Sequence, residues 1–160
     1  MLTHRLALAG GAHRSFHHAN LRSLPDKLRR QQIGRLEILW MDPQAGSRNA
    51  ITPAVLERLF FRKLVLQQFE RDPRALTLAD ALAATELSAF DLAAEDDVRW
   101  ALKFYPRGAA RPILSIYLAG DGRTGSIGHV RYSFNRPLLD WLEQSAQGGQ
   151  RRRASQKNAK

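Results

Sequence analysis

Arginine carries most of the chemistry that this sequence can offer. Only five of its 25 basic residues are lysines, and against 15 acidic residues the net charge is +10. A guanidinium keeps its charge at all ordinary pH values and presents a planar fork to phosphate. The arginine positions therefore mark where an anionic partner would be held. Lys27, Arg29, Arg30 and Arg35 lie close together, and Arg107, Arg111, Arg123, Arg131 and Arg136 recur through a stretch rich in glycine and proline. Arg151, Arg152, Arg153, Lys157 and Lys160 occupy an acid-free C-terminal segment, so half of the charge excess sits in the last ten residues. A GC-rich bacterial coding sequence would also favour arginine and alanine, so position says more than number.

Acidic residues segregate just as clearly. From Ala75 to Val98 there is no lysine or arginine, while Asp80, Glu86, Asp91, Glu95, Asp96 and Asp97 all fall in that interval. Asp91, Glu95, Asp96 and Asp97 on one helix face would suit a basic protein partner, or a divalent cation if the fold added further ligands. A solvated helix face is the commoner use of such a run. The histidines are His4, His13, His17, His18 and His129, and a metal-dependent nuclease would need carboxylates folded against them. His17 and His18 would point apart in a strand. The turn Gly120-Asp121-Gly122-Arg123-Thr124-Gly125 has the glycines to cradle an anion, yet it matches neither a Walker loop nor a dinucleotide fingerprint. Asp-Gly is also ordinary turn chemistry. With no cysteine, disulfides, thiolate metal sites and a thiol nucleophile are excluded. The expectation is no cofactor, no resident metal, no enzyme activity and a reducing, cytoplasmic setting.

The elements that must position these residues follow from hydrophobic period and punctuation. Leu2, Leu6 and Leu8 alternate as a short strand within a basic N-terminal arm, 1–24, whose composition also suits a transit peptide. Ser23-Leu24-Pro25-Asp26 reads as a capping box opening a helix to about Gln32. Arg35–Met41 alternates, with Leu36, Ile38 and Trp40 on one face and Glu37 on the other, as in a half-buried strand. Thr52-Pro53 then opens a helix whose apolar stripe runs from Val55 to Phe69, with Asp72-Pro73 as its stop. Thr77–Asp80 and Ser88–Asp91 have capping-box spacing, predicting helices near 78–85 and 89–104. Residues 113–118 and 127–134 read as a hairpin, and Asn135 caps a final helix ending at Gly148-Gly149. Within the second strand, Arg131 should project opposite to Val130 and Tyr132. Tyr105, Tyr132 and Phe134 could stack on unpaired bases, although core packing is the commoner role of such aromatics.

These elements amount to an α+β domain spanning 1–147, with helices layered on a small, mostly antiparallel sheet and a basic tail at 148–160. Helix, helix, helix and hairpin from Pro53 to Phe134 resembles a winged helix-turn-helix, which implies a recognition helix from Ser88 and a wing at Arg123. The acidic residues opening that helix depart from the pattern, because phosphates would repel them. The charge distribution predicts a non-enzymatic nucleic-acid-binding accessory or regulatory protein, with DNA favoured over RNA. A protein-interaction module built on Asp91–Asp97 is the alternative. No apolar run is long enough to cross a bilayer, and the tail lacks aromatics, so a membrane partner is not expected.

Overall fold

The computed structural model describes residues 4–42, 50–67, 72–89, 97–128 and 130–145. Helix α1 spans His4–Arg29, strand β1 Ile33–Trp40, helix α2 Pro53–Leu59, strand β2 Arg62–Gln67 and helix α3 Pro73–Ala83. Strands β3 (Leu87–Ala89), β4 (Val98–Pro106), β5 (Leu114–Ala119), β6 (Thr124–Ile127) and β7 (Val130–Phe134) follow. A last helix, α4, covers 137–145. The strands form one antiparallel sheet in the order β2-β1-β4-β5-β6-β7-β3, so the fold is α+β as the sequence predicts. Among the described residues no helix is long and apolar enough to cross a membrane.

Alternation divides the sheet into two faces. Leu36 and Ile38 from β1, Trp100, Leu102 and Phe104 from β4, and Leu114, Ile116 and Leu118 from β5 share one face with Ile127, Tyr132 and Phe134. Leu21, Leu24 and Leu28 of α1, Leu78 and Leu82 of α3, and Leu138 and Trp141 of α4 cover it. Each large apolar side chain taken fully out of water here contributes about 1.5–3 kcal/mol. The opposite face has a smaller apolar cluster, in which Leu56 of α2 and Ile51 pack on Leu39, Val98, Ala101 and Tyr117. Helix α2 covers only part of that face.

Several elements differ from the sequence-based expectation. Residues 4–29 form one helix rather than a strand, an arm and a short helix, and Leu21 and Leu24 are core residues. The Ser23 hydroxyl donates back to the Asn20 carbonyl at 2.9 Å instead of capping, with Pro25 inside the helix. Gln31, at φ 58°, ends the helix: the Gln32 amide donates to the Lys27 carbonyl and the Gln31 amide to that of Leu28, a Schellman closure. Helix α2 stops at Leu59, where a helix to Phe69 is predicted. Leu64 and Leu66 satisfy a period of two as well as 3.6, and pairing with β1 from Arg35↔Gln67 to Trp40↔Arg62 selects the strand.

Helix α3 begins four residues before its expected capping box. Asp72 is the cap, accepting from the Arg74 amide at 3.0 Å, and Pro73 takes the first turn. Thr77, read as a cap, donates to the Arg74 carbonyl and accepts from the Trp141 indole N–H, both at 3.0 Å. The winged-helix order is not found. Where the recognition helix 89–104 is expected, Leu87–Ala89 pairs with β7, and Val98–Pro106 is the interior strand β4. Residues 90–96 of that expectation lie outside the described residues. The predicted hairpin is a three-strand meander of β5, β6 and β7, with a turn at 120–123 between the first two.

Gly125 has a specific packing role. A Cβ there would meet the Tyr117 carbonyl oxygen at 2.0 Å, so β5 and β6 approach closely only because the residue is glycine. Gly108 has open space around its Cβ position but φ +72°. Gly125→Ala should lower stability by on the order of 3 kcal/mol, through overpacking against backbone. Gly108→Ala should cost only about 1 kcal/mol, from its left-handed conformation. Urea unfolding followed by circular dichroism checks the order.

Candidate functional site

The part of the second sheet face that α2 leaves open is polar. Register places Arg35 opposite Tyr105, Glu37 opposite both Lys103 and Val65, and Lys103 opposite Ser115. Tyr117, Ser126 and Arg131 continue the face across β5, β6 and β7. Directly opposed residues share a face, so alternation in five strands gathers basic and hydroxyl side chains into one field.

Two carboxylates organise it. Glu37 accepts from the Tyr105 hydroxyl at 3.1 Å and pairs with the Lys63 ammonium at 3.1 Å. The Arg35 guanidinium carbon lies 3.9 Å from the Tyr105 ring centroid, and its Nε is 3.7 Å from Glu37. Glu57, reaching in from α2, accepts from the Tyr117 hydroxyl and pairs with the Lys103 ammonium at 3.0 Å. Burial pushes both carboxyls up, but hydrogen bonds and neighbouring cations outweigh it and leave both below the ordinary value of 4.5. Lys63 and Tyr105 act on Glu37, and Tyr117 and Lys103 on Glu57. Burial, followed by the bonded carboxylate, raises both tyrosine hydroxyls above their ordinary range. All four groups thus move away from neutrality, which suits fixed charge and hydrogen bonding rather than proton transfer near pH 7.

At one end of this face, two turns meet. Arg107 donates its amide to the Gln32 carbonyl at 3.2 Å, its Nε to the Gln31 carbonyl at 2.6 Å, and its Nη2 to the Gln31 side-chain oxygen at 3.4 Å. A Cβ at Gly34 would lie 3.0 Å from the Arg107 Cα, so glycine there permits this close approach. The α1–β1 turn and the β4–β5 turn are thereby locked together. Their sequences, 27–36 and 103–113, contain no acidic residue. Arg30 and Arg111 are exposed there, and no carboxylate pairs with either among the described residues. Lys27, Arg35 and Arg107 complete the basic edge. Arg131 stands on the same face beyond β5 and β6.

Two of the other expected phosphate ligands are engaged in ion pairs, and a third lies far from this edge. Arg29 pairs with Asp80 at 2.8 Å and with Asp26 at 3.6 Å, tying α1 to α3. Arg136 pairs with Asp140 at 2.9 Å along α4. Arg123 sits in the β5–β6 turn at the far end of the sheet, its amide donating to the Asp121 carboxylate at 3.0 Å. That bond is the Asp-Gly turn chemistry. Tyr132 and Phe134 are core residues on the covered face, and Tyr105, on the other face, is buried beneath the Arg35 guanidinium.

Asp97 is not part of an exposed helix. It accepts from the Ile51 amide at 2.9 Å and pairs with the buried Arg99 at 2.6 Å. Arg99 also donates to the Asp42 carbonyl at 3.0 Å. Asp97 is thus a partner for a buried charge. Asp91, Glu95 and Asp96 lie outside the described residues, as do His129, the side chain of His13, and Arg151, Arg152 and Arg153. His17 and His18 make edge-on contacts with the Tyr132 ring, at 6.5 and 5.5 Å between centroids. No group of three or more His, Asp or Glu able to hold a metal occurs among the described residues.

Comparison with protein-family models, characterised proteins and solved structures finds no match for this chain. The geometry is therefore interpreted from its own chemistry. Glu57, Lys63, Lys103 and Tyr117 are members of this field that nothing in the linear sequence singles out. Lys103 falls in the segment expected to be helical, and Glu57 and Lys63 in one long amphipathic helix. The polar side of β1, at Glu37, and the alternation that turns Arg131 away from Val130 and Tyr132 signal the field in sequence.

Tyr117→Phe removes a donor from a partly buried carboxylate and should destabilise by about 1 kcal/mol at neutral pH. A carboxyl held below its ordinary value stabilises the fold above that value, and this contribution is lost as pH falls through the folded-state value. The deficit of the variant should therefore shrink below about pH 4.5, as Glu57 protonates. Urea midpoints of both proteins across the acid range check this. A deficit independent of pH would show that packing, not the Glu57 bond, is responsible.

Proposed function

We propose that this protein is a non-enzymatic nucleic-acid-binding accessory protein, cytoplasmic and favouring DNA, which holds a phosphate backbone along the acid-free end of its sheet. The observation that carries this reading is the convergence of two basic segments, 27–36 and 103–113, at turns locked by Arg107. Arg30 and Arg111 extend from that edge into solvent, with Arg35 held against Tyr105 beside them. Like-signed guanidinium groups with no intervening carboxylate attract phosphates and release their counterions. Phosphate binding of this kind sets position and affinity rather than sequence choice.

The fixed Glu37 and Glu57 pairs support the same reading. They neutralise Lys63 and Lys103 at the middle of the face, so the positive field is strongest at its end. The tail, Arg151–Lys160, would add affinity independent of sequence.

Labelled duplex and single-stranded oligonucleotides, followed by fluorescence anisotropy over a salt series, test the proposal. The expected result is binding that weakens steeply with salt. Arg30→Glu/Arg111→Glu should flatten the slope of log K against log salt by about 2, roughly one unit for each phosphate no longer neutralised. Removal of residues 151–160 should flatten it further. No binding at low salt, or the same slope in the double variant, would overturn the assignment.

A further inference from the structure

The sheet has two edges, and β2 is an open one. Among the described residues no strand pairs with its outer side. Such an edge presents a row of unpaired N–H and C=O groups. Proline, which would blunt it, is absent from Arg62–Gln67. Beside it lies the most exposed run of large apolar side chains among the described residues. Phe61 is 69% exposed and Leu59 61%, with Phe60 and Val65 also in solvent.

The chain segment that carries this patch is of one sign. From Arg58 to Phe69 there are three basic residues and no acid. Lys63 is taken by Glu37 at 3.1 Å, which leaves Arg58 and Arg62 for a partner. The Arg62 guanidinium carbon lies 5.1 Å from the Trp40 ring centroid and 5.7 Å from that of Phe61. Trp40 in turn stacks on Trp100, with centroids 5.4 Å apart. A guanidinium held on aromatic faces keeps its edge N–H groups available for a carboxylate while losing little freedom on binding. Exposed aromatics next to an arginine are the composition of interface hot spots.

We propose that the outer edge of β2 docks an extended acidic segment of a partner protein by strand addition. Backbone pairing along Arg62–Gln67 would hold the segment, its apolar side chains would cover Phe61 and Val65, and its carboxylates would meet Arg58 and Arg62. The unpaired peptide edge calls for a polypeptide rather than a nucleic acid. The sign of the rim calls for an acidic partner, since a second copy would bring an equally basic strand and a further net charge of +10.

The test is selection of a displayed random dodecapeptide library against the full chain, followed by anisotropy of the enriched peptides and amide chemical-shift mapping. Enriched peptides should be acidic, with apolar residues at alternate positions, and should shift the amides of residues 62–67. Phe61→Ser and Arg62→Glu should each weaken them about tenfold or more. Both side chains are exposed, and unchanged circular dichroism confirms folding. Arg111→Glu should leave peptide affinity unchanged, which separates this surface from the nucleic-acid edge. Failure to enrich, enrichment without acidic bias, or affinity indifferent to Phe61→Ser and Arg62→Glu would overturn the proposal. So would a dimer in light scattering that Phe61→Ser dissolves, because the occupant would then be a second copy.

Discussion

Because β4 pairs with β1 on one side and β5 on the other, its residues are divided between two faces with opposite demands. Trp100, Leu102 and Phe104 turn toward the three-helix layer, where they meet side chains from α1, α3 and α4. Ala101, Lys103 and Tyr105 turn toward the face that α2 covers only in part. A one-residue slip would exchange the two sets and place Lys103 in the main core. The pairings from Glu37↔Lys103 to Trp40↔Trp100 fix that register. They therefore determine both the packing and the polar field.

The two ends of the sheet differ in electrostatic character. At the end where β1 begins and β4 ends, Arg30 and Arg111 have no carboxylate partner among the described residues, and the turns are joined through Arg107. At the other end two cations are matched: Arg99 is buried between Asp97 and the Asp42 carbonyl, and Arg136 lies against Asp140. Burying a guanidinium without such partners would cost several kcal/mol. Asp97 is thus accounted for by stability. Half of the net charge of +10 lies in the last ten residues, outside this contrast.

The Glu37 and Glu57 networks join these two themes. Each uses a tyrosine and a lysine from other elements to hold one carboxylate, so the lysines of β2 and β4, on either side of β1, are each matched across the face. The same bonds link α2 to β4 and β5 where apolar cover is thin. Polar networks of this kind favour one arrangement when every member is paired.

The sequence by itself determined the α+β class, strand β1 with Glu37 on its polar side, the start of α2, and the segregation of charge along the chain. These are local properties, set by alternation, caps and composition. Asn135, expected to cap the last helix, instead accepts from the Glu86 amide and donates to the Ala84 carbonyl. Only the tertiary structure decided whether 62–67 and 98–106 are strands, because Leu64, Leu66, Leu102 and Phe104 satisfy a helical and an extended period alike. Pairing partners distant in sequence chose between them. The candidate site was legible at Arg30, Arg35, Arg107, Arg111 and Tyr105, but not at Glu57, Lys63 or Lys103, whose roles arise from cross-strand register and the docking of α2. Arg29, Arg136 and Asp97 look like free charges in a linear chain, and acquire their partners only when α3, α4 and the Ile51 backbone are brought into place.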